Sequence, residues 1–272
     1  MSKITAYLIV CLCLSGMSVH AQYAERMRAL RPGYGVSPWT VGERVFQAHM
    51  GFDGNWGAKT LTDAVLKHDS RIGSLNMCFG ITERLEIDAY SELRNDKLDV
   101  NHAQNTISGI SLAALGIRYN IIDGGLNGIS AGLQALAKLP VQSSDYRVRQ
   151  VLPKILFIIG WNPSDAITLS GNLGVEYDGI KDNPTTLYSI KAMFQLSNHI
   201  GAFIETHNTL QYSYPHKGVG LYAHLGRNVM IDVSTGSGFR RFQKDYYFNI
   251  GLSCRFAAGR TQRNRWVYGE YR

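Results

Sequence analysis

Residues 248–256, with the sequence FNIGLSCRF, decide the fold class. Every second residue from Phe248 to Phe256 is apolar, and the residues between them are asparagine, glycine, serine and arginine. In an extended chain this alternation puts the apolar side chains on one face and the polar or small ones on the other. The same period of two recurs in residues 74–79, 84–90 and 168–177. The repeated alternation predicts a protein built from β-strands.

The alternation predicts twelve strands, near residues 44–53, 70–79, 84–94, 106–120, 128–137, 150–160, 166–177, 185–195, 200–208, 217–225, 228–238 and 245–256. A length of about ten residues lets a tilted strand cross a membrane, whereas the mean strand of a soluble domain has about five or six. The connections after the even strands are short, and those after the odd strands are longer and polar, as in bacterial outer-membrane barrels. The predicted fold is all-β, an antiparallel transmembrane β-barrel of about twelve strands, and a secreted β-sandwich is the alternative.

The first residues carry an export signal. Lys3 is followed by an apolar run at residues 7–14, and Ser18-Val19-His20-Ala21 offers small residues for cleavage after Ala21. We therefore expect four segments. They are a cleaved signal peptide (1–21), a lead-in with proline and glycine (22–43), the barrel (44–256) and a basic polar tail (257–272). The lead-in is expected in the periplasm or inside the lumen, and the expected location of the barrel is the outer membrane.

The composition limits the cofactors and partners. Cys11 and Cys13 belong to the signal peptide, and Cys78 and Cys254 remain, either as a disulfide or, in our interpretation, as small strand residues. Histidines at zinc-ligand spacing are missing, so neither a metal nor a cofactor is predicted. The net charge of +7 is spread along the chain, and no nucleic-acid module is recognisable. The expected partners are outer-membrane lipid and lipopolysaccharide, the barrel-assembly machinery and a small-molecule solute.

If the apolar face of each strand meets lipid, the alternate positions face the lumen. The polar residues at these positions are the candidates for setting selectivity. They are Gln47, His49, Arg84, Glu86, Asp88, Glu92, Arg118, Glu176, Lys191, Glu205, Asp232 and Arg255. Ionised groups inside a barrel need partners or water. They either pair into a network that fills the interior or line a wet path, and the sequence leaves both open.

An enzymatic reading rests on His68-Asp69-Ser70. A histidine and a serine two residues apart share one face of an extended chain, and a lipid hydrolase needs this pair with an acid to orient the ring. The segment would lie near the outer rim, where lipid substrates are. The ordinary interpretation is a polar loop, and catalysis is only the minor alternative. His207 and His216 are predicted to be loop residues.

Several stretches together resemble a family of bacterial outer-membrane transporter proteins named for the MetA pathway of phenol degradation. They are residues 31–47 (RPGYGVSPWTVGERVFQ), 78–87 (CFGITERLEI), 202–205 (AFIE), 231–234 (IDVS) and 251–256 (GLSCRF). The resemblance implies a barrel that passes small compounds, including hydrophobic or aromatic ones, across the outer membrane. A transporter-like or porin-like channel is therefore the expected function. An outer-membrane lipid hydrolase using His68 and Ser70 and a structural or adhesive barrel are the alternatives.

Overall fold

The computed structural model describes residues 27, 30–31, 33–60, 65–125, 127–177, 179, 183–210, 214–240 and 243–257. Twelve strands make up almost all of it. They are β1 (Val45–Thr60), β2 (Val65–Gly80), β3 (Leu85–Val100), β4 (Ala103–Ile122), β5 (Ile129–Lys138), β6 (Leu152–Ser164), β7 (Ile167–Glu176), β8 (Thr185–Gln195), β9 (Ile200–Thr209), β10 (His216–His224), β11 (Val229–Arg240) and β12 (Gln243–Ala257). The predicted signal peptide and residues 258–272 of the predicted tail lie outside the described residues.

The strands form one closed antiparallel barrel in chain order. β12 returns to pair with β1, from Val45 opposite Ala257 to Lys59 opposite Gln243. Closure pairs the first strand with the last, so the sheet has no edge strand there to recruit another chain. The predicted fold, an antiparallel all-β barrel of about twelve strands, is confirmed.

The outside of the barrel is apolar and the inside is polar. Large hydrophobic side chains on the outer face are about half exposed, for example Phe52 at 51%, Ile117 at 52% and Leu221 at 52%. The inward positions hold buried polar and charged groups such as Glu86 and Arg118, both at 0%. This arrangement reverses that of a soluble protein and matches a wall whose outer face meets hydrocarbon. Among the described residues, no helix is long and apolar enough to cross a membrane.

The predicted strand lengths are wrong on one side of the barrel. β1, β2 and β3 have 16 residues each and β4 has 20, whereas β5 to β10 have 9 to 13. Residues 54–60, 65–69 and 95–100, predicted to be loops, are strand. The error has a physical cause, because here both faces of the strands carry polar residues. Opposite charges face each other across the strands, with Lys67 opposite Asp99 and Asp69 opposite Lys97.

The alternation of short and long connections is consequently weaker than predicted. Residues 61–64, 101–102 and 241–242 are short connections, and the longer ones are 139–151, 177–184 and 210–215. These six lie at one end of the barrel, which we call the loop end. The other end, called the terminal end, holds the start of β1, the end of β12 and the five connections 81–84, 123–128, 165–166, 196–199 and 225–228.

The longest connection, residues 139–151, covers the part of β4 that projects beyond β5. Ser143 N donates to Ile110 O at 3.0 Å. The hydroxyl of Tyr146, in a short 3₁₀ helix, lies 3.1 Å from Asp96 Oδ2 and 3.3 Å from Ile107 O. Burial and the neighbouring Asp96 carboxylate raise the pKa of Tyr146 to about 12. Its hydroxyl therefore stays protonated and keeps donating at neutral pH. The loop thereby occupies backbone groups of β4 that would otherwise form an open edge.

Cys78 lies on β2 and Cys254 on β12, and within the described residues both are free thiols. The interpretation of both as small strand residues is confirmed. Cys78 is buried on the inner face and Cys254 is half-buried.

Candidate functional site

The described residues before β1 lie inside the barrel, and the first and last of them are near the same end. Met27 packs near the terminal end against Met193, Phe203, Tyr222 and Met230. The chain then climbs to Gly33 and Tyr34 and descends to Gly42, which contacts Gly80 at the terminal end. We call the described residues 27–43 the N-terminal arch. Of the two locations considered for the lead-in, these residues occupy the lumen.

The rising arm of the arch is fixed by Arg31. Arg31 is 7% exposed, and its guanidinium makes a bidentate ion pair with Asp232 on β11. Nε lies 2.9 Å from Oδ2 and Nη2 lies 2.7 Å from Oδ1. Nη2 also donates to Asn249 on β12. Bidentate pairs of this kind are among the strongest and most directional contacts in proteins.

The apex of the arch is Tyr34. Gly33 before it has a φ of +74°, a conformation that favours glycine, and turns the chain there. Tyr34 N donates to Glu205 Oε2 at 2.9 Å and Tyr34 Oη donates to Asp53 Oδ1 at 3.1 Å. Tyr34 as a whole is 42% exposed, so the arch presents a tyrosine to the space above it.

The upper part of the descending arm is bound by side chains from β7 and β8. Lys191 Nζ donates to the carbonyl oxygen of Gly35. Asn172 accepts from Val36 N and donates to Val36 O, both at 2.8 Å. The amide of Asn172 thus replaces a strand partner for Val36 and satisfies both of its backbone groups.

The lower part of this arm is bound by β3 and β4. Arg118 Nη1 donates to Ser37 O at 3.0 Å, and its Nε donates to Glu86 Oε1 at 2.8 Å. Glu86 Oε2 accepts from Val41 N at 2.7 Å. Arg118 and Glu86 are both fully buried. A buried ion pair whose remaining atoms bind the backbone of the arch joins the arch firmly to the wall.

Glycines in the wall make room for the arch. A Cβ atom at Gly251 would lie 2.1 Å from Nε of Arg31, and one at Gly51 would lie 2.8 Å from Nη1 of Arg31. On the other side of the barrel, a Cβ atom at Gly160 would lie 2.7 Å from Pro38 and 2.9 Å from Trp39. The wall is therefore shaped to its occupant.

Two further buried clusters complete the terminal half of the lumen. Gln134 Nε2 donates to Asp88 Oδ2 and contacts the hydroxyl of Tyr90, both at 2.8 Å. Gln47 Nε2 lies 2.9 Å from His49 Nε2, and His49 Nδ1 lies 2.8 Å from Ser253 Oγ. Together with the arch, these contacts fill the terminal half with bonded side chains.

Above the arch lies a cavity of about 990 Å³, which we call the vestibule. Its floor includes Arg31, Gly33 and Tyr34, and it reaches the ends of the strands at Lys59, Lys138 and Lys154. One wall carries leucines of β4, β5, β6 and β8, namely Leu112, Leu136, Leu152, Leu156 and Leu187. The facing wall carries rings, namely His68, His207, Tyr214, His216 and Tyr247. The vestibule is large enough for a small amphipathic molecule.

The ring wall is continuous with the apex of the arch. Tyr34 lies 4.4 Å from His207 and 5.4 Å from Tyr247, between ring centroids, and the second pair is edge-to-face. His207 in turn stacks on His216 at 5.4 Å. His207 and His216 belong to β9 and β10. Their prediction as loop residues is wrong, whereas the predicted strand 200–208, which contains His207, is right. An occupant of this wall would touch the arch directly.

The structure divides the twelve predicted lumen residues into groups. Five bind the arch or hold a residue that does: Glu86, Arg118, Lys191, Glu205 and Asp232. Gln47, His49 and Asp88 form the buried clusters described above, and Arg255 donates to Arg227 O at 2.7 Å. Glu92 and Glu176 line the vestibule.

Arg84 lies elsewhere. It is exposed in the connection 81–84, before β3 begins at Leu85. Its predicted place in the lumen is wrong because the alternation was extended one residue into the turn.

His68 and Ser70 share the inner face of β2 but have different partners. His68 Nε2 lies 3.7 Å from Asp245 Oδ1. Ser70 Oγ donates to Asp96 and lies 3.1 Å from Nε of Arg94. A catalytic serine needs its histidine as a hydrogen-bond partner. The placement of this segment in a loop is wrong, since β2 begins at Val65.

Some site residues were absent from the predicted set, notably Asp53, Asn172 and Asn249. Each continues an alternation that had already been recognised, for Asp53 follows Gln47 and His49 by steps of two on β1. The predicted set consists mostly of charged residues, so Asn172 and Asn249 are missing from it. A set containing every polar residue at the alternate strand positions would include Asp53, Asn172 and Asn249.

No protein-family model matches the chain, and no curated protein matches it. Solved structures do share the fold. An outer membrane channel from Pseudomonas putida F1 has a TM-score of 0.58 at 10% identity over 83% of this chain and 99% of that one. The translocator domain of the autotransporter NalP from Neisseria meningitidis has 0.54 at 11% identity, over 83% and 90%. The toluene transporter TbuX from Ralstonia pickettii has 0.50 at 10%, over 79% and 90%. At these identities the likeness establishes the fold.

Proposed function

We propose that this protein is an outer-membrane channel, transporter-like or porin-like, that the N-terminal arch holds closed. The terminal end, whose connections have at most six residues, faces the periplasm, and the loop end, which has the longest connections, faces outward, as in bacterial barrels. The apolar outer face supports the placement in a membrane, as does the likeness of the fold to outer-membrane proteins. Export depends on the predicted signal peptide, residues 1–21.

One observation carries the proposal. The vestibule reaches the loop end and stops on the arch, with Arg31, Gly33 and Tyr34 as its floor. A purely structural barrel would have no use for a cavity of about 990 Å³ lined by charged and aromatic groups. Because the arch is held by side chains rather than by strand pairing, it can leave without unfolding the wall. Movement of the arch would open a path from the vestibule to the periplasm.

The proposed solutes are small compounds with an apolar or aromatic part. The leucine wall and the exposed ring of Tyr34 suit such a body, while the amides and lysines of the vestibule suit a polar group. The resemblance to the phenol-degradation family favours the same class, and so does the fold shared with a toluene transporter.

The proposed partners in the membrane follow from the outer face. Lys67, Arg71 and Lys97 are exposed on the outward side of β2 and β3, beyond the apolar belt. Cations at that level suit the phosphates of lipopolysaccharide. Assembly in the membrane would require the barrel-assembly machinery.

The alternatives have less support. A lipid hydrolase would require His68 to bind Ser70, and His68 instead lies beside Asp245. A structural or adhesive barrel would conduct no ions in any variant, so conductance distinguishes it from a channel.

The test is single-channel recording in planar bilayers with Arg31→Ala. This variant loses the pair with Asp232 and the bond to Asn249, so we expect longer or larger openings than in the wild type. Arg84→Ala is the control, because it removes the same charge from an exposed residue of the connection 81–84, outside the lumen. The slower migration of boiled protein on a denaturing gel checks that each variant is folded. Equal and negligible conductance in the wild type and the folded Arg31→Ala variant would overturn the proposal.

A further inference from the structure

Two histidines and an aspartate lie in one row across five neighbouring strands. Reading across the strands, His68 is opposite Gly57, and Gly57 is opposite Asp245. Asp245 is opposite Gly238, and Gly238 is opposite His216. A glycine therefore separates the aspartate from each histidine. All three side chains line the vestibule.

The glycines let these side chains approach one another. Neighbouring strands are about 4.8 Å apart, so residues two strands apart start about 10 Å from each other. Even so, His68 Nε2 lies 3.7 Å from Asp245 Oδ1, because both side chains lean over Gly57. A Cβ atom at Gly57 would lie 2.3 Å from Asp245 Oδ1 and 2.5 Å from His68 Cε1. On the other side, Nε2 of His216 lies over Gly238, 2.9 Å from where its Cβ would be.

Tyr214 orients Asp245, and His207 places a further imidazole nitrogen beside His216. Tyr214 Oη donates to Asp245 Oδ2 at 2.8 Å, which orients the carboxylate and leaves Oδ1 towards His68. The ring of His207 stacks on His216 at 5.4 Å with 12° between the planes. Nδ1 of His207 is buried and has no hydrogen-bond partner among the residues that the structure describes. A buried imidazole nitrogen without a partner is rare enough to point to an additional bound species.

We propose that His68, Asp245 and His216 bind a divalent transition-metal ion such as Zn²⁺ in the vestibule. Two imidazoles and a carboxylate are a ligand set that zinc uses, with bonds of about 2.0–2.2 Å. Two such ligands in tetrahedral geometry lie about 3.4 Å apart, close to the 3.7 Å between His68 Nε2 and Asp245 Oδ1. His216 Nε2 lies over Gly238 on the far side of Asp245, so the ring would turn away from His207 and towards Asp245 to complete the set. Solvent or a solute would occupy the fourth position.

A second cluster of possible ligands is the weaker candidate. Cys78, Glu86 and Asp88 have donor atoms within 4.8 Å of one another. The guanidinium of Arg118 already binds Glu86 there, and the group is buried beside the arch. The vestibule row, in contrast, lines an open cavity, and the side chain of His68 is 32% exposed. An ion could enter it from the loop end.

The pattern could not be found in the sequence. Zinc motifs are recognised by short spacings, whereas these ligands are 68, 216 and 245 in the chain. The barrel register alone brings them into one row. The site exists whether or not the barrel conducts, so binding and conductance can fail independently.

The experiment is titration of the detergent-folded, full-length protein with Zn²⁺ in a calorimeter, and with Co²⁺ by visible absorption. We expect one ion per chain and an absorption band typical of tetrahedral Co²⁺. Loss of a ligand should weaken binding at least as much as loss of an outer-shell partner does, about 10–100-fold. Asp245→Asn and His216→Ala are the ligand variants, and His102→Asn, in the exposed turn 101–102, is the matched control.

Gly57→Ala keeps every ligand but fills the space that His68 and Asp245 share, so it should weaken binding as well. It serves as the second variant if Asp245→Asn does not fold, as judged by the gel shift. Absence of binding to the wild type would overturn the proposal. So would equal affinity in the wild type and the folded ligand variants, since the ion would then be held elsewhere.

Discussion

The two halves of the lumen are built in opposite ways. In the terminal half the arch, the Arg118–Glu86 pair and the His49 cluster fill the space, and nearly every group is buried. In the loop half the polar groups surround a cavity of about 990 Å³. In the terminal half the charged side chains bind other groups of the protein. In the loop half the charged side chains border a cavity that has room for a ligand. The comparison teaches that polarity of a lumen face does not by itself indicate a wet path.

The same comparison separates stability from recognition. Removing one partner of a buried pair is costly because the other charge is left without compensation. Removing one partner of an exposed pair costs little because water replaces it. Substitutions in the terminal half should therefore change stability and closure, whereas those in the loop half should change binding.

The largest effect is expected for Arg118→Ala. The substitution leaves the fully buried carboxylate of Glu86 without its cation, and the carbonyl oxygen of Ser37 loses a hydrogen-bond donor. We expect the free energy of unfolding to fall by about 3–5 kcal/mol, measured by urea titration of the barrel in lipid vesicles. Lys154→Ala, which breaks an ion pair between two side chains about one third exposed, should cost at most about 1 kcal/mol. Equal losses in both variants would show that the two halves do not differ as described.

An intermediate effect is expected for Gly251→Ala. The new methyl group would occupy the position that lies 2.1 Å from Nε of Arg31, so the guanidinium must shift from Asp232. We expect a loss of about 1–3 kcal/mol together with more frequent openings in planar bilayers. Gly73→Ala is the control, because nothing lies within 4 Å of the added Cβ. If the two alanine variants conduct alike, Arg31 does not hold the arch.

The smallest effect is expected for Tyr34→Phe, at the boundary between the halves. The ring stays beside His207 and Tyr247, and only the bond to Asp53 is lost. A loss of about 1 kcal/mol is expected for a hydrogen bond of this kind, seen as a small decrease in the thermal midpoint followed by circular dichroism. A decrease as large as that of Arg118→Ala would mean that the apex, too, belongs to the filled half.

The sequence predicts the strands of the barrel wall better than it predicts the position of the arch inside the lumen. Twelve strands were identified because the period of two is strict wherever one face meets hydrocarbon and the other does not. It weakens where both faces are wet, as at Lys67 and Asp69, and there β2 was cut short. The arch has no period at all. Its path depends on side chains such as Asp232 and Asn172, which are far from it in sequence, so only the closed barrel defines it.

The candidate site was predicted in part for the same reason. Alternation assigns Glu205 and Asp232 to the lumen, and the structure finds both there. Alternation cannot say whether a lumen charge meets water or a backbone amide, because that depends on the position of the arch. The role of these residues in selectivity stays a prediction.

The arch also has a consequence for how the chain acquires its structure. Arg31 contacts residues 201 and 218 positions later, on the last two strands to be synthesised. Contacts of such sequence separation form late, because a long loop must be closed first. Until β11 and β12 are in place, Arg31 lacks its partners Asp232 and Asn249. The arch can therefore take its final position only when the wall is nearly complete, so the lumen is filled last.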